Sequence, residues 1–174
     1  MKLTSVAQKF ILHWGEMGTR WGINRTVAQI HAMLYLAAKP VTAEEIAETL
    51  SVARSNVSNS LRELQGWGLI KVVHILGDRR DHFESSKDVW DMFRLVVTQR
   101  KQREIDPTLA LIRDCATEAA KPGAADPVTR ERLDHMLDFF ETISVFFDQM
   151  NKLPTAVIIR IMRMGEKVRK LLQV

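Results

Sequence analysis

Apolar residues recur three and four positions apart along most of the 174-residue chain, the spacing that places side chains on one face of an α-helix. The spacing predicts an opening helix over residues 4–18 and a second helix, capped by Asn24, that runs to about Ala38. It also predicts two short helices within residues 42–65 and long helices after residue 87. Between residues 70 and 85 a β-rich run surrounds Gly77 and Asp78, which predicts a hairpin.

The first of the two short helices has a recognisable start. Its apolar face consists of Ala43, Ile46, Ala47 and Leu50. Thr42 precedes the helix and Glu45 follows three residues later, so the two residues can satisfy each other's backbone N–H groups in a capping box. The outward residues are acidic, and we therefore expect this helix to brace the next one rather than to lie along a phosphate backbone.

The second short helix is predicted over about residues 53–65, with Val57, Leu61 and Leu64 packing inward. Its outward residues carry guanidinium, amide and hydroxyl groups: Arg54, Ser55, Asn56, Ser58, Asn59 and Arg62. Such groups read base edges and hold phosphates in the major groove of DNA, whereas Ser and Asn weaken a helix that only faces solvent. This polar face therefore indicates a recognition helix, and the alternative is an ordinary solvated face.

The hairpin that follows carries Arg79 and Arg80 at its tip, next to Gly77 and Asp78. A cationic tip suits a minor groove or a phosphate track, and the alternative is a salt-bridged turn without a partner. Two short helices followed by such a hairpin are typical of a winged helix-turn-helix, with the wing at about residues 70–85. The predicted fold is mainly α with a small β-hairpin wing, an α+β fold. The predicted DNA-binding residues are Thr42, Arg54, Ser55, Asn56, Ser58, Asn59, Arg62, Arg79 and Arg80.

Long helices are predicted after the wing. Ser85 or Ser86 is expected to cap the first of them, near Asp88, and a kink or restart is expected at Pro107, with Asp106 as cap. Residues 121–125 form the clearest linker, Asp126 caps a helix that runs to about Met150, and a last helix extends through Leu172. The expected boundaries are an N-terminal helix for dimerisation at 1–22, a winged domain at 23–86 and a helical dimerisation region at 87–174.

The broad apolar stripe from Leu133 to Phe147 is wider than one packing surface needs. Burial against a second copy of the chain explains it most simply, and the alternative is that the long helices fold back on the winged domain. A symmetric dimer would place two recognition helices about 34–36 Å apart, which matches successive major-groove faces of a palindrome. We therefore expect a homodimer.

Composition permits these expectations without demanding them. The formal net charge is +4, from 25 Lys and Arg against 21 Asp and Glu, which allows a double-stranded DNA partner. Cys115 is the one cysteine, so no intramolecular disulfide is expected, and either a buried small hydrophobe or a redox-sensing thiol fits it. Charged residues interrupt the N-terminal apolar run, and no uncharged run reaches the ~20 residues of a membrane helix. A cytoplasmic protein without a membrane partner is expected.

The residues give no sign of an enzyme, because no metal-protease motif, paired-cysteine motif, nucleophile elbow or phosphate loop is found. His74 and His82, with Asp78 or Asp81 nearby, could form a metal site, but two such histidines are more often surface residues. We expect no enzyme, no metal and no cofactor. The alternative to a regulator is a non-catalytic, dimeric winged-helix module that binds another protein.

The chain resembles the GbsR-like group of MarR-type bacterial and archaeal transcriptional regulators over roughly residues 10–112. The most specific segments are Gly22-Ile23-Asn24-Arg25-Thr26, Asn56-Val57-Ser58, Leu61-Arg62-Glu63-Leu64, Trp67-Gly68, Gly77-Asp78-Arg79 and Arg103-Glu104-Ile105-Asp106-Pro107. The resemblance implies a homodimeric winged-helix regulator, often a repressor, whose terminal helices form the dimer interface. It places the recognition helix at residues 54–62 and the wing tip at 77–80.

The same group is associated with choline and glycine betaine metabolism, which implies a quaternary ammonium as a conceivable small-molecule effector. Such cations bind in aromatic cages. The aromatic residues available for a cage are Trp14, Trp21, Trp67, Trp90 and Tyr35. Aromatic residues at helical spacing are more often part of a core, so we name no effector.

Overall fold

The computed structural model describes residues 2–164. The end of the predicted last helix, with Val168, Leu172 and the cations Lys167, Arg169 and Lys170, lies outside the described residues. Contacts divide the chain into two compact units, Met1–Val96 and Val97–Val174. Among the described residues, none of the helices combines the length and the apolar character that crossing a membrane requires.

The described elements follow the predicted order. They are α1 (Ser5–Arg20), α2 (Arg25–Leu36), β1 (Val41–Thr42), α3 (Ala43–Leu50), α4 (Arg54–Gly66), β2 (Ile70–Val73), β3 (His82–Ser85), α5 (Val89–Arg100), a π-helix (Lys101–Ile105), α6 (Asp106–Ala119), α7 (Pro127–Lys152) and α8 (Thr155–Arg163). The predicted mainly helical α+β fold is confirmed.

The sheet of the first unit has three antiparallel strands in the order β1-β3-β2. The predicted hairpin is β2 with β3, where Val73 lies opposite His82 and Ile70 opposite Ser85. The two-residue strand β1 adds to the other edge of β3, with Thr42 opposite His82. No sequence pattern predicted β1, because two residues are too few to show an alternation.

The core of the first unit is centred on α2. Ile30, Met33 and Leu34 are fully buried there and pack with Ile46 of α3 and Leu64 of α4. The C-terminal end of α2 is closed by Lys87, whose Nζ donates to the carbonyl oxygens of Leu34, Tyr35 and Ala37 at 2.7, 2.8 and 2.9 Å. A cation at the C-terminus of a helix is stabilised by the exposed carbonyl groups and by the helix dipole.

Most of the predicted caps are confirmed. Asn24 and Asp126 accept from the first backbone N–H groups of α2 and α7. The cap of α5 was predicted wrongly: Asp88 takes this position, and its Oδ1 accepts from the N–H groups of Trp90 and Asp91. Ser85 is unavailable because it is buried in β3.

The predicted cap at Asp106 is also wrong. Asp106 has helical backbone angles, and its carboxylate accepts from Nζ of Lys101 at 2.8 Å instead of capping. The π-helix before it absorbs the effect of Pro107, because a wider turn displaces the carbonyl that the proline ring would otherwise strike. The helical backbone therefore continues from α5 through the π-helix into α6, without the predicted restart at Asp106.

In the second unit, α6 and α7 pack as an antiparallel pair. Arg113 of α6 donates to Glu141 of α7 at 2.7 Å, and Lys101 lies 3.3 Å from Asp148. One side of α7 is left exposed although it is apolar: Phe139 is 54% and Phe146 57% accessible, and Met136 and Val145 are also exposed. The stripe predicted from Leu133 to Phe147 is thus only partly covered within one chain.

Candidate nucleic-acid interface

The helix α4 is held in place by its inner face. Val57, Leu61 and Leu64 are buried in the core of the first unit, as the sequence predicts, and Ser60 is buried between them. Beyond its end, Gly68 adopts a positive φ of 72°, and the N–H of Leu69 donates to the carbonyl of Leu64. Glycine favours this type of helix C-terminus, because other residues are strained in the left-handed region. The inner contacts fix which residues of α4 face outward.

The outward residues of α4 are the polar set that the sequence predicts. Six of them are exposed: Arg54, Ser55, Asn56, Ser58, Asn59 and Arg62. Arg62 donates from Nη1 to Oδ1 of Asn59 at 3.3 Å, one helical turn away. We call this set the polar face of α4. It offers charged forks, amides and hydroxyls on a rigid helix, as base edges and phosphates require.

Thr42 does not belong to this exposed set. It is 1% accessible, and its hydroxyl accepts from the N–H of Glu45 at 3.3 Å, while Oε2 of Glu45 accepts from the N–H of Thr42 at 3.0 Å. The predicted capping box is confirmed, and the hydrogen bond from the Thr42 N–H is the main reason why the pKa of Glu45 is lowered. The prediction of Thr42 as a DNA-binding residue is wrong, because its side chain is buried; Thr42 positions α3.

The wing loop, residues 74–81 between β2 and β3, carries a tight ion pair. Arg80 donates from Nε to Oδ1 of Asp78 at 3.0 Å and from Nη2 to Oδ2 at 2.6 Å, and its backbone N–H also donates to Oδ1 at 3.0 Å. These bonds hold the pKa of Asp78 well below its usual range and raise the pKa of Arg80. Both arginines of the tip are exposed, but the Asp78 carboxylate partly neutralises the charge of Arg80.

A groove of about 390 Å³ separates α4 from the wing loop and the start of α3. Its polar lining residues are Glu44, Ser58, Arg62, Gln65, Arg80 and Asp81. Arg62 of the polar face and Arg80 of the wing loop thus line the same groove. The structure brings the two predicted cationic elements together on one side of the first unit.

The two histidines of the hairpin differ in their surroundings. The His74 side chain is 83% accessible and its Nδ1 lies 3.8 Å from Oδ1 of Asp81. His82 is buried, with Nδ1 3.0 Å from the carbonyl oxygen of Arg80 and Nε2 3.5 Å from Oδ2 of Asp78. The expectation of two surface residues is therefore wrong for His82. Within residues 2–164, no group of three or more His, Cys, Asp or Glu side chains is arranged for a metal ion.

The burial of His82 follows from its place in the central strand. β3 is flanked by β1 and β2, so its residues are covered on both edges and, on one face, by α2. The sequence pattern does not predict β1, and without β1 the strand β3 is expected to be one half of an exposed ribbon. The sequence singled out His82 only as a possible metal ligand and gave no sign of its burial between the wing loop and the sheet.

Three of the aromatic residues that the resemblance suggests for an effector contact residues outside the suggested set. Trp14 stacks on Phe10 with ring centroids 5.4 Å apart, Trp90 meets Phe93 edge-on, and the Tyr35 ring lies 5.9 Å from Nζ of Lys87. None of these three contacts joins two members of the suggested set. They give no support to an aromatic cage.

Comparison with known proteins agrees with this geometry. Residues 21–81, which include α2, α3, α4 and the whole wing loop, match the MarR family. This match covers about a third of the chain and shows what the segment is similar to. Its boundaries enclose the polar face of α4 and both arginines of the wing loop.

Similarity to individual proteins extends over most of the chain. The HTH-type transcriptional repressor GbsR of Bacillus subtilis is 20% identical over 140 residues, which cover 79% of this chain and 77% of that protein. The putative HTH-type transcriptional regulator YvaV of the same species is 24% identical over 159 residues, covering 79% and 88%. A crystal structure described as a transcriptional regulator matches with a TM-score of 0.66 and 20% identity over 84% of this chain and 95% of that one. This structural likeness shows the fold.

Proposed function

We propose that this chain is a DNA-binding regulator of transcription that acts as a homodimer and represses its target genes. The observation that carries the proposal is the polar face of α4, exposed beside the arginines of the wing loop. The match of residues 21–81 to the MarR family and the naming of GbsR as a repressor support it. Both relatives described above are named as regulators of transcription, which agrees with the expectation of a non-enzymatic protein.

In the proposed complex, α4 enters the major groove. Arg54, Asn56 and Asn59 are the residues proposed to contact base edges, because forked and amide side chains can bind a base at two points. Ser55, Ser58 and Arg62 are proposed to contact phosphates or base edges nearby. Arg79 and Arg80 of the wing loop are proposed to follow the adjacent minor groove or the phosphate track.

The homodimer is proposed from the exposed apolar surface of the second unit. Phe139, Val145 and Phe146 of α7 are each more than half accessible, and Met162 of α8 is 63% accessible. Large contiguous apolar patches on a monomer mark interaction surfaces, and a second copy of the chain would present the matching patch. A two-fold pair of α4 helices would then read a palindromic operator.

The proposed place of action is the cytoplasm, where a regulator of this kind in a bacterial or archaeal cell meets its DNA. A small-molecule effector of unspecified chemistry is compatible with the group that the sequence resembles, and the aromatic contacts do not single one out. Residues 2–164 offer no observation that favours the alternative of a protein-binding module, and the test below distinguishes it from a regulator.

The test is the salt dependence of DNA binding. A fluorescent duplex recovered from a random pool by selection on the purified chain is titrated with protein at several salt concentrations. Each phosphate neutralised should lower log affinity by about 0.9 for each tenfold rise in salt. A steep slope supports the proposal. Failure to recover any bound duplex in dilute buffer would contradict it and would favour the protein-binding module.

A further inference from the structure

His82 sits at the junction between the sheet and the wing loop. It lies in the central strand β3, opposite Thr42 of β1 on one side and Val73 of β2 on the other. Its side chain is buried, so the ring has little freedom to turn away. The position of the ring is therefore set by the sheet, while its nitrogen atoms face the wing loop.

Both ring nitrogens of His82 face hydrogen-bond acceptors. Nδ1 is 3.0 Å from the carbonyl oxygen of Arg80, and Nε2 is 3.5 Å from Oδ2 of Asp78. A neutral imidazole carries one N–H and can satisfy one acceptor, whereas the imidazolium donates from both nitrogens. The carbonyl can only accept, and Asp78 is held ionised by Arg80, so it also accepts. A protonated ring would therefore place a donor opposite each of the two acceptors.

Protonation of His82 would change the net charge of the wing. Residues 74–82 contain two arginines and two aspartates, so the segment carries no net charge when its two histidines are neutral. Asp78 neutralises Arg80 through two short hydrogen bonds, which weakens the attraction of the tip for phosphate. A proton on His82 makes the segment net positive. The charged ring also interacts with the Asp78 carboxylate, which then neutralises less of the charge of Arg80.

We propose that His82 is a proton-binding site of the DNA interface, and that the wing takes up a proton there when the regulator binds DNA. This inference rests on the proposed function. Proton binding and DNA binding are linked, so each increases the affinity for the other. DNA phosphates near the wing favour protonation of His82, and the protonated ring favours DNA binding. Affinity for DNA therefore rises as pH falls.

Other titratable groups also lie around β3. Glu84 of β3 pairs with Lys71 of β2 at 2.9 Å, and His74 faces Asp81. On α2, which packs on β3, the buried His31 has no hydrogen-bond partner at Nε2, and the charge of Lys87 disfavours its protonation. From α3, Glu44 and Glu45 act on Arg80. Asp78 is the carboxylate in ion-pair distance of the His82 ring among the described residues.

The experiment compares wild type, His82→Gln and His74→Gln between pH 8 and pH 6. The probe is the selected fluorescent duplex, titrated at several salt concentrations at each pH. For wild type we expect affinity to increase with acidity by up to about tenfold per pH unit and protomer, the limit for uptake of one proton. We also expect the slope of log affinity against log salt to steepen by about 0.9 per protomer at pH 6. His74→Gln is the comparison variant within the same wing: it removes an exposed histidine that lies beside Asp81 and not beside Asp78, and it should retain the larger part of both effects.

His82→Gln should lose most of the pH dependence while its unfolding midpoint at pH 8 confirms that it folds. An equal pH dependence in His82→Gln and wild type, or a wild-type affinity that does not change with pH, would overturn the proposal. Absence of DNA binding at every pH would instead overturn the proposed function and this inference with it. The two failures are therefore distinguishable.

Imidazole ¹⁵N chemical shifts of the wild-type protein provide a readout that needs no variant. In the DNA complex at pH 6 both His82 nitrogens should carry protons, and the midpoint of the His82 titration should lie at higher pH with DNA than without it. One protonated nitrogen throughout, or equal midpoints with and without DNA, would overturn the proposal even if His82→Gln fails to fold.

Discussion

Acid should destabilise the first unit through His31, a buried residue of α2. Its Nε2 has no hydrogen-bond partner, and burial, helped by the nearby charge of Lys87, lowers the pKa of His31 from 6.5 to about 4. Below pH 6.5 the unfolded chain gains this proton while the folded chain does not. Stability is therefore lost as pH falls from about 6.5 to about 4, and this contribution is constant at higher and lower pH.

The size of this effect follows from the two pKa values. Each pH unit between them is worth about 1.4 kcal/mol, so wild type should lose about 3 kcal/mol through His31 alone across the interval. The variant His31→Leu replaces the titrating ring with an apolar side chain of similar size at this buried position. At pH 7.5 it should be about as stable as wild type or more so, because it also removes an unsatisfied buried polar atom.

Urea unfolding followed by tryptophan fluorescence, at a fixed protein concentration and at several pH values from 7.5 to 4, measures the difference between the two proteins. Relative to wild type, His31→Leu should gain about 3 kcal/mol between pH 7.5 and pH 4. Carboxylates whose pKa is lowered, such as Glu45 and Asp126, also weaken the fold in acid, but they do so equally in both proteins. A difference that does not vary with pH would show that His31 is protonated in the folded state or is hydrated.

Three further predictions concern α3, the wing and the dimer. Thr42→Ala should lower the free energy of unfolding by about 1 kcal/mol, because the cap of α3 is lost, and an unchanged urea midpoint would contradict this role. Arg79→Ala should reduce the salt slope of DNA binding by about 1 on every duplex, and an unchanged slope would remove Arg79 from the interface. Phe139→Gln combined with Phe146→Gln should convert a dimer into a monomer in sedimentation, whereas Asp134→Gln on the same helix should not. A wild-type monomer at micromolar concentration would defeat the proposed dimer.

The helices and the polar face of α4 could be predicted from the sequence because their signals are local. The inward positions Val57, Leu61 and Leu64 fix the phase of the helix, and that phase decides which neighbours are exposed. The capping box of Thr42 and Glu45 likewise depends on residues three apart. Such patterns need no knowledge of the tertiary structure.

Features that depend on distant partners were not predicted. β1 exists because β3 lies beside it, forty residues further along the chain, and the burial of His82 follows from strands on both sides. The burial of Thr42 also depends on distant residues, which is why Thr42 was expected at the DNA. The sequence pattern showed that Thr42 caps α3 but not that the sheet and the core bury its side chain. The π-helix before Pro107 shows a third limit, because the sequence indicates an obstacle to a regular helix but not how the backbone accommodates it.

Arg54 offers the sharpest test of whether the polar face of α4 reads DNA. The measurement is the ratio of affinities for the selected duplex and for a scrambled duplex of equal length, in wild type and in Arg54→Ala at one salt concentration. Loss of a two-point contact to a guanine should cost about 1–3 kcal/mol per half-site on the selected duplex and much less on the scrambled one. The ratio should fall accordingly, while Glu63→Gln, an exposed residue of α4 outside the polar face, should leave it unchanged. An unaltered ratio in Arg54→Ala would contradict base reading by this residue.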